Sequence, residues 1–310
     1  MVKILKKILK DGDQQFTEVN ELISNAWLQY TNVGKEDILT ILKLCPEIEY
    51  EDIDDIFDEF EIPRIEKHQN TYVIILRTPQ QKKLYSQSNT QTFTIILNPS
   101  YIITLSPGTE DFMNKIYSSK DLYTSQKIKF IIKLLTLISD EYNSLIRQYS
   151  ISVRKLQYSK NEINSKEISN LIMIEEILSE YLTALIPIKS IAYNILDGKY
   201  FKLYEDDMDL LEDMYNSIDQ ATSTCELIVN NIKSLRDNYQ VIFSNSLNNK
   251  INFLTVITLA LTIPNVVTSF YGMNIPLPFQ ETHFLAYLLI ILSSITIFIV
   301  FIVLKKNKVF

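Results

Sequence analysis

The 310-residue sequence is poor in several residue types, and each shortage excludes a class of protein. Glycine occurs 5 times and proline 9 times, while 46% of residues are hydrophobic, which excludes a collagen-like or disordered chain. The sequence contains no Gly-x-x-x-x-Gly-Lys loop, so no nucleotide is predicted as a ligand. With only two histidines and no nucleophile–histidine pair, an enzyme is the weakest interpretation, and no catalytic residue is predicted.

The two cysteines, Cys45 and Cys225, lie far apart, and neither is part of a Cys-x-x-Cys pair. Only His68 and His283 could join them, which argues against a structural zinc site. Two lone cysteines provide no disulfide framework, which suits a reducing compartment. Residues 1–10 interleave lysine with apolar residues and lack the unbroken apolar core of a signal peptide, so we expect the N-terminal part in the cytosol.

Charge is divided unevenly along the chain. The formal net charge is -7, but residues 251–310 carry three lysines against one glutamate, or +2, which leaves -9 for residues 1–250. An acidic soluble part argues against nucleic acid as a partner, because nucleic-acid binders carry basic faces. Acidity is compatible with cation handling, although solubility is the commoner reason for it.

Two long apolar stretches near the C-terminal end predict two transmembrane helices. Neither residues 251–270 nor residues 284–304 contain a charged side chain, and the nearby acid Glu281 falls in the segment between them. At about 1.5 Å per residue each stretch can cross a ~30 Å hydrocarbon core, and buried core helices of a soluble protein are the alternative. Lys250 and the basic tail 305–310 satisfy the positive-inside rule. We therefore expect the protein in the cell membrane, with both termini in the cytosol.

The first span is more polar than the second. Asn, Thr and Ser side chains are disfavoured in hydrocarbon unless they face protein or water. We therefore expect the first span to face protein or water and the second span to face lipid. Residues 271–283, which connect the two spans, are expected outside the cell. The polar positions of the first span are Asn252, Thr255, Thr258, Thr262, Asn265, Thr268 and Ser269.

Before the spans, the pattern predicts an α+β domain over residues 1–120 and a helical region over 121–205. Short β-branched and aromatic runs bounded by turn residues predict the strands of a small sheet. In the helical region, Pro187 and the Asp197–Gly198 pair are expected to interrupt the helices. The predicted helices of the first domain cover 35–44 and 49–60, and the predicted strands cover 72–76, 93–97 and 101–105.

The strongest periodicity of the chain lies in the stretch 206–250, which we interpret as a helical stalk. No glycine or proline occurs from Lys199 to Ile263, so one helix from about Asp206 to Phe270 is expected. The apolar stripe of this helix could pack on the chain's own helices. In either case, a rigid helix that joins a cytosolic domain to a membrane span can transmit motion between them. The stripe consists of Leu211, Met214, Ile218, Ala221, Cys225, Ile228, Ile232, Leu235, Tyr239 and Ile242.

Directly after the first span comes the sequence Tyr271-Gly272-Met273-Asn274. A glycine can end a helix with positive φ and so turn carbonyl groups toward an axis, and Asn274 adds an amide oxygen. Four residues are a weak signal alone, but their place between a penultimate span and a last span that ends in lysines is specific. This arrangement resembles the CorA family of magnesium transporters, which carries a Gly-Met-Asn signature at this place.

The resemblance extends over about residues 27–310. The external loop departs from the family's Met-Pro-Glu-Leu but keeps one acid, Glu281, and the spacing from Pro264 to Asn274 is one residue shorter than expected. Trp27–Tyr30 resembles an early strand of the family. Glu51–Ile56 resembles its Glu-Asp-Ile-Leu helix, and Pro63–Glu66 resembles its Pro-Lys-Val-Glu turn. Ser244–Asn248 resembles the cytosolic end of its pore.

The resemblance implies a funnel-shaped homopentameric channel that imports Mg²⁺ along the membrane potential, with Co²⁺ and Ni²⁺ as further ions. Mg²⁺ prefers oxygen ligands and sheds water reluctantly, so a selectivity mouth formed by Tyr271, Gly272, Met273 and Asn274 would bind the hydrated ion. The pore-lining residues that the resemblance implies are Asn248, Ile251, Leu254, Thr258, Thr262 and Asn265.

The resemblance also implies that cytosolic Mg²⁺ is sensed at acidic sites between protomers. Counting back from Leu254 and from Pro63 places these regulatory metal ligands at Asp213 and Asp55. Each lies in a run of acids, for which a solvated acidic face is the alternative.

Two rival functions remain open. Transport of zinc or another divalent cation by the same fold is the nearer one, although Met273 favours Mg²⁺ because zinc-exporting relatives tend to change the methionine of the signature. A membrane-anchored coiled-coil tether is the other, and it leaves both the polar first span and Tyr271–Asn274 unexplained.

Overall fold

The computed structural model describes residues 2–7, 15–80, 88–108, 113–119, 122–157, 165–276 and 283–306, which form two units. The first unit is Met1–Lys233 and the second is Ser234–Phe310. The strands are β1 (Val2–Lys6), β2 (Thr17–Glu18), β3 (Ala26–Thr31), β4 (Arg64–His68), β5 (Thr71–Pro79), β6 (Thr90–Leu97) and β7 (Tyr101–Ser106). The helices are α1 (Lys35–Leu44), α2 (Tyr50–Asp54), α3 (Met113–Tyr117), α4 (Lys127–Gln157), α5 (Ser165–Leu196), α6 (Glu205–Tyr271) and α7 (His283–Lys306).

One mixed sheet holds all the described strands, in the order β2-β1-β3-β7-β6-β5-β4. Strands β4 to β7 form an antiparallel meander, whereas β3 lies parallel to β7, with Trp27 opposite Ile102. The three predicted strands are confirmed as β5, β6 and β7, and the predicted early Trp strand is confirmed as β3. Strands β1 and β2 were not predicted, because the lysines of β1 obscure its alternation.

Helices cover both faces of the sheet, and this explains why the central strands are buried on both sides. Every residue of β6 is buried, as expected for a strand that is sandwiched between two helical layers. On one face, Ile38 and Ile41 of α1 pack with Leu28 and Tyr30, and each isoleucine contributes about 2 kcal/mol by burial. On the other face, the Trp27 ring contacts Phe130 of α4 with ring centroids 5.0 Å apart.

The second predicted helix of the first domain ends earlier than its pattern indicates. Helix α2 stops at Asp54 and a single 3₁₀ turn, Asp55–Phe57, follows it. The prediction that it continues to residue 60 is wrong, because Asp58 adopts an extended backbone and its Oδ1 accepts a hydrogen bond from the Phe60 amide at 2.8 Å.

Pro187 lies inside α5 and does not interrupt it, so that expectation is wrong. A proline in a helix interior costs about 3 kcal/mol or more. Neighbouring Leu185 and Ile188 are almost fully buried, and this packing holds the helix together. Gly198 does end α5 as expected: its φ is 75°, and its amide and that of Lys199 donate back to carbonyl groups of the last turn.

A buried ion pair joins the sheet to α5. Arg77 of β5 is 3% exposed, and its Nη2 lies 3.1 Å from Oε1 of Glu180. The same carboxylate accepts hydrogen bonds from the Asn89 amide at 2.9 Å and from Thr90 Oγ1 at 3.0 Å. Burial by itself raises the pKa of Glu180, but hydrogen bonds from Ser88, Asn89 and Thr90 outweigh it, so the pKa lies below its usual value.

Helix α6 forms as predicted, running unbroken for 67 residues from Glu205 to Tyr271. Its apolar stripe is buried in the first unit as far as Ile232. Beyond that residue the stripe becomes progressively more exposed: Leu235 and Tyr239 are half-buried, and Ile242 is 62% exposed. The described part of the chain therefore buries the first part of the stripe fully and its end only partly.

The second unit consists of the end of α6 and of α7, and each presents one partly covered side. The partly covered residues recur every three or four positions, as expected for two helices that pack lengthwise. They are Val256, Ala260, Ile263, Pro264, Val267 and Tyr271 on α6, and Leu289, Ser293 and Thr296 on α7.

Candidate ion pathway and metal-binding residues

The six residues predicted to line a pore share one side of α6. With about 100° per residue, all of them lie within about 60° of Ile251 around the helix axis. The residues covered toward α7 lie about 120° or more away from Ile251. The predicted pore side is therefore the side opposite α7, and its members are all exposed: Asn248, Ile251, Leu254, Thr258, Thr262 and Asn265.

Threonines on this side satisfy their own hydroxyl groups within the helix. Thr258 Oγ1 donates to the Leu254 carbonyl at 2.9 Å, and Thr262 Oγ1 donates to the Thr258 carbonyl at 2.7 Å. Such bonds lower the cost of a polar residue in an apolar setting. The threonines alone are therefore weak evidence for an aqueous path. The amide groups of Asn248 and Asn265 are stronger evidence for one.

Helix α6 ends at the Tyr-Gly-Met-Asn signature, but Gly272 does not have the positive φ that the sequence predicts. Gly198 is the glycine with positive φ in the described chain. Gly272 instead donates its amide to the carbonyls of Thr268 at 3.0 Å and Ser269 at 3.2 Å. A Cβ at position 272 would lie 3.3 Å from the Thr268 carbonyl oxygen, a tight contact that favours glycine here.

The remaining signature residues lie at the end of the same helix. Met273 is 47% exposed and Asn274 is also exposed, whereas Tyr271 is half-buried on the side toward α7. Exposed amide and carbonyl oxygens at a helix end are suitable contacts for the waters of a hydrated cation. Glu281, the acid that the sequence analysis expects in an external loop, lies outside the described residues.

Asp55 lies on the 3₁₀ turn after α2 and forms an ion pair. Its Oδ2 is 2.6 Å from Nη2 of Arg64, and the same guanidinium also binds Glu61 and, at 2.6 Å, Glu66. Asp55 is therefore held by a cation in this chain. A metal ion at Asp55 would have to compete with Arg64 for this carboxylate.

Asp213 lies on α6 at the edge of a groove between α4 and α6 in the first unit. The groove has a volume of about 630 Å³ and also presents Lys129, Lys133 and Asp140. Asp213 is exposed, whereas its neighbour Met214 is 1% exposed. Asp55 and Asp213 share no hydrogen bond or ion pair among the described residues, so the structure of one chain does not bring them together.

A third group of candidate ligands was missed by the sequence analysis. Asp52 of α2 and Glu66 and His68 of β4 place one ligand atom each within 4.8 Å of one another. The Glu-x-His spacing puts two of these side chains on one side of a strand, which is a readable signal. Asp52 could not be found in this way, because its proximity depends on how α2 packs beside β4.

These features define a class of protein: an α+β domain followed by a long helix whose apolar end has an uncovered polar side, as in an ion channel or transporter. Within the described residues, α6 is the one helix that is long and apolar enough to cross a membrane, and the apolar stretch of α7, Tyr287–Ile299, is shorter. A family model for the CorA-like Mg²⁺ transporter protein matches residues 24–306. The chain belongs to this family of divalent cation transporters of membranes.

Individual relatives are distant in sequence and similar in fold. The cobalt/magnesium transport protein CorA of Methanocaldococcus jannaschii is 23% identical over 282 residues, which is 86% of each chain. The complete structure of a CorA magnesium transporter from the same organism has a TM-score of 0.79 at 17% identity, covering 99% of this chain and 98% of that one. The cytoplasmic domain of ZntB from Vibrio parahaemolyticus has a TM-score of 0.62 at 11% identity, covering 78% and 98%.

Proposed function

We propose that this protein is a homopentameric channel in the cell membrane that imports Mg²⁺ along the membrane potential. The observation that carries the proposal is the uncovered polar side of α6 opposite α7, which leads to the exposed Gly272-Met273-Asn274 end. A single helix cannot enclose an aqueous path, so several copies must contribute their α6 helices. Helix α7 then forms the second span on the lipid side, with both termini in the cytosol.

The uncovered part of the stalk stripe supports assembly. Beyond Ile232, Ile242 continues the spacing of the buried stripe but is 62% exposed among the described residues. Apolar side chains at such spacing are stabilised by neighbouring helices of the same kind. Family membership supports five copies, and the stripe gives each copy a surface on which to meet its neighbours.

Ion recognition in this proposal depends on oxygen atoms that contact the hydrated ion. Mg²⁺ retains several waters when it binds. A ring of Asn274 amides and Gly272 carbonyls would accept hydrogen bonds from those waters, and rings of Ile251 and Leu254 would narrow the path and gate it by dewetting. A divalent cation entering a negative interior gains about 4.6 kcal/mol per 100 mV, so uptake needs no nucleotide. Co²⁺ and Ni²⁺ would be further ions, because they are hydrated in a similar way.

Regulation by cytosolic Mg²⁺ is the second part of the proposal. Asp213 of one subunit and Asp55 of the next would share a Mg²⁺ ion that holds the stalks closed. The groove beside Asp213 is a recess of about 630 Å³, and the lysines that line it would favour an acidic segment of a neighbouring subunit.

Uptake of Mg²⁺ into vesicles that contain the purified protein tests the transport proposal. The expected result is uptake driven by an inside-negative potential, with selectivity for Mg²⁺ over a monovalent cation. Asn274→Ala should reduce Mg²⁺ uptake about tenfold, because a lost hydrogen bond to a charged group costs about 1.5–3 kcal/mol. Asn238→Ala, which removes an exposed amide from the stalk, is the matched control and should leave uptake unchanged.

The same vesicles separate the rival functions. No wild-type flux under an inside-negative potential would favour a tether, and equal, unselective flux in wild type and Asn274→Ala would remove the selectivity role. Zinc is the nearest alternative cargo, because zinc transport by the same fold is the rival function that the sequence leaves open. Zn²⁺ transport in the presence of excess Mg²⁺, with no Mg²⁺ flux, would replace Mg²⁺ by Zn²⁺ as the cargo.

A further inference from the structure

We infer that Asp52, Glu66 and His68 form a binding site in the sheet domain for a divalent transition-metal ion of the Zn²⁺ type. The three ligand atoms are Asp52 Oδ2, Glu66 Oε2 and His68 Nε2, and they lie within 4.8 Å of one another. The site is formed by one chain, and it is distinct from the pore and from the proposed Asp55–Asp213 position.

The distances within the cluster are close to those of a metal site. His68 Nε2 lies 3.6 Å from Asp52 Oδ2 and 3.5 Å from Glu66 Oε2. Two ligands at about 2.0–2.1 Å from Zn²⁺ are roughly 3.4 Å apart at a tetrahedral angle. All three ligand atoms lie within 4.8 Å of one another, so local side-chain movements are enough to bring them around one Zn²⁺ ion.

The Nε2 atom of His68 makes no hydrogen bond of normal length among the described residues. His68 Nε2 is a buried atom without a hydrogen-bond partner among the described residues, and both carboxylate oxygens lie beyond normal hydrogen-bonding distance. A buried polar atom of this kind is costly unless something binds it. A metal ion between the nitrogen and the two oxygens would satisfy it.

Neighbouring groups hold the two carboxylates in position. The Glu49 amide donates to Asp52 Oδ2 at 2.8 Å, and Arg64 Nε donates to Glu66 Oε1 at 2.6 Å. The second bond engages the far oxygen of Glu66 and leaves Oε2 directed at His68. Supporting bonds of this type orient the ligands of metal sites in proteins.

The ligand set selects a class of ion. A neutral imidazole with two carboxylates suits Zn²⁺, Co²⁺ or Ni²⁺, whereas Mg²⁺ prefers oxygen ligands alone. Three protein ligands leave a fourth position for water. The side chains of Asp52, Glu66 and His68 are 18%, 32% and 24% exposed, so an ion can reach the site from solvent.

Zinc binding by the full-length protein in detergent tests the inference. After removal of metals by a chelator, the protein is dialysed against Zn²⁺ in a large excess of Mg²⁺, which saturates sites that prefer Mg²⁺. About one tightly bound Zn²⁺ per chain is expected for wild type, and His68→Ala and Glu66→Gln should bind it at least ~10-fold more weakly. Glu51→Gln removes a charge beside the site without removing a ligand and should bind Zn²⁺ as wild type does.

A second measurement uses wild-type protein alone and so does not depend on the folding of any variant. X-ray absorption spectroscopy of the Zn²⁺ bound to wild type should show an imidazole nitrogen together with oxygen ligands. Absence of bound Zn²⁺ in wild type, unchanged affinity in His68→Ala, or a zinc coordination shell without imidazole would each overturn the inference. None of these outcomes depends on Mg²⁺ transport, so the two proposals can fail separately.

Discussion

Glu180 shows how single residues stabilise the sheet domain. Its carboxylate pairs with Arg77, which is almost fully buried, so Glu180→Gln would leave that guanidinium without a countercharge. We expect a loss of about 3 kcal/mol in the free energy of unfolding at neutral pH. Thermal unfolding is followed through the fluorescence of Trp27, which is the single tryptophan and is fully buried in the same domain.

The pH dependence of this loss has a definite sign. Because the pKa of Glu180 is lower in the folded chain than its usual value, the folded state holds fewer protons at this group than the unfolded state does. The stabilisation is therefore present above the usual pKa of about 4.5 and is lost as pH falls through the folded pKa. The difference between wild type and Glu180→Gln should shrink under acid conditions. A difference that is constant from neutral to acid pH would contradict this account.

At the scale of helices and strands, the uncovered stripe of α6 predicts where copies of the chain meet. Ile242 is 62% exposed in one chain, so Ile242→Asp should not unfold the sheet domain. It should shift the detergent-solubilised protein from an oligomer to smaller species, since a buried unpaired charge costs several kcal/mol. Native mass spectrometry measures the change, and Ile242→Val should assemble as wild type does. Intact oligomers of Ile242→Asp would place the contact surface elsewhere.

The sequence predicts these elements where the signal is local and fails where it is not. Apolar periodicity predicts α6 to within one residue at each end, and β-branched runs between turn residues predict β5, β6 and β7. The parallel partner of β7 could not be predicted, because β3 is far away in the sequence. Pro187 and Gly272 were misjudged for a similar reason: burial of neighbours in one case and two carbonyl oxygens in the other decide the backbone.

The candidate site residues also differ in whether they lie within one element or are brought together by the fold. The six pore-lining residues of α6 were implied by the resemblance to the CorA family, and the structure places them together on the uncovered side of one helix. The Asp52–Glu66–His68 cluster joins a helix to a strand, so its full ligand set emerges only from the fold.

At the scale of the whole molecule, gating would depend on contacts between neighbouring subunits. Mg²⁺ enclosed in the vesicles should inhibit uptake by wild type, and Asp213→Ala should weaken that inhibition about tenfold or more because a shared ion loses one ligand. Asp209→Ala, which removes an exposed acid one turn earlier on α6, is the control and should keep normal inhibition. Unchanged inhibition in Asp213→Ala would show that the sensor lies elsewhere.

The parallel pair β3–β7 has a consequence for biosynthesis. Ala26 pairs with Tyr101, so the ribosome must deliver roughly 75 further residues before the first strands find their partner. At about 5–20 residues per second this takes roughly 4–15 s, during which the nascent edge of β3 is vulnerable to aggregation. The water-insoluble end of α6 is made later still. By then the sheet can close, so newly made chains can reach the membrane insertion machinery with their N-terminal domain already folded.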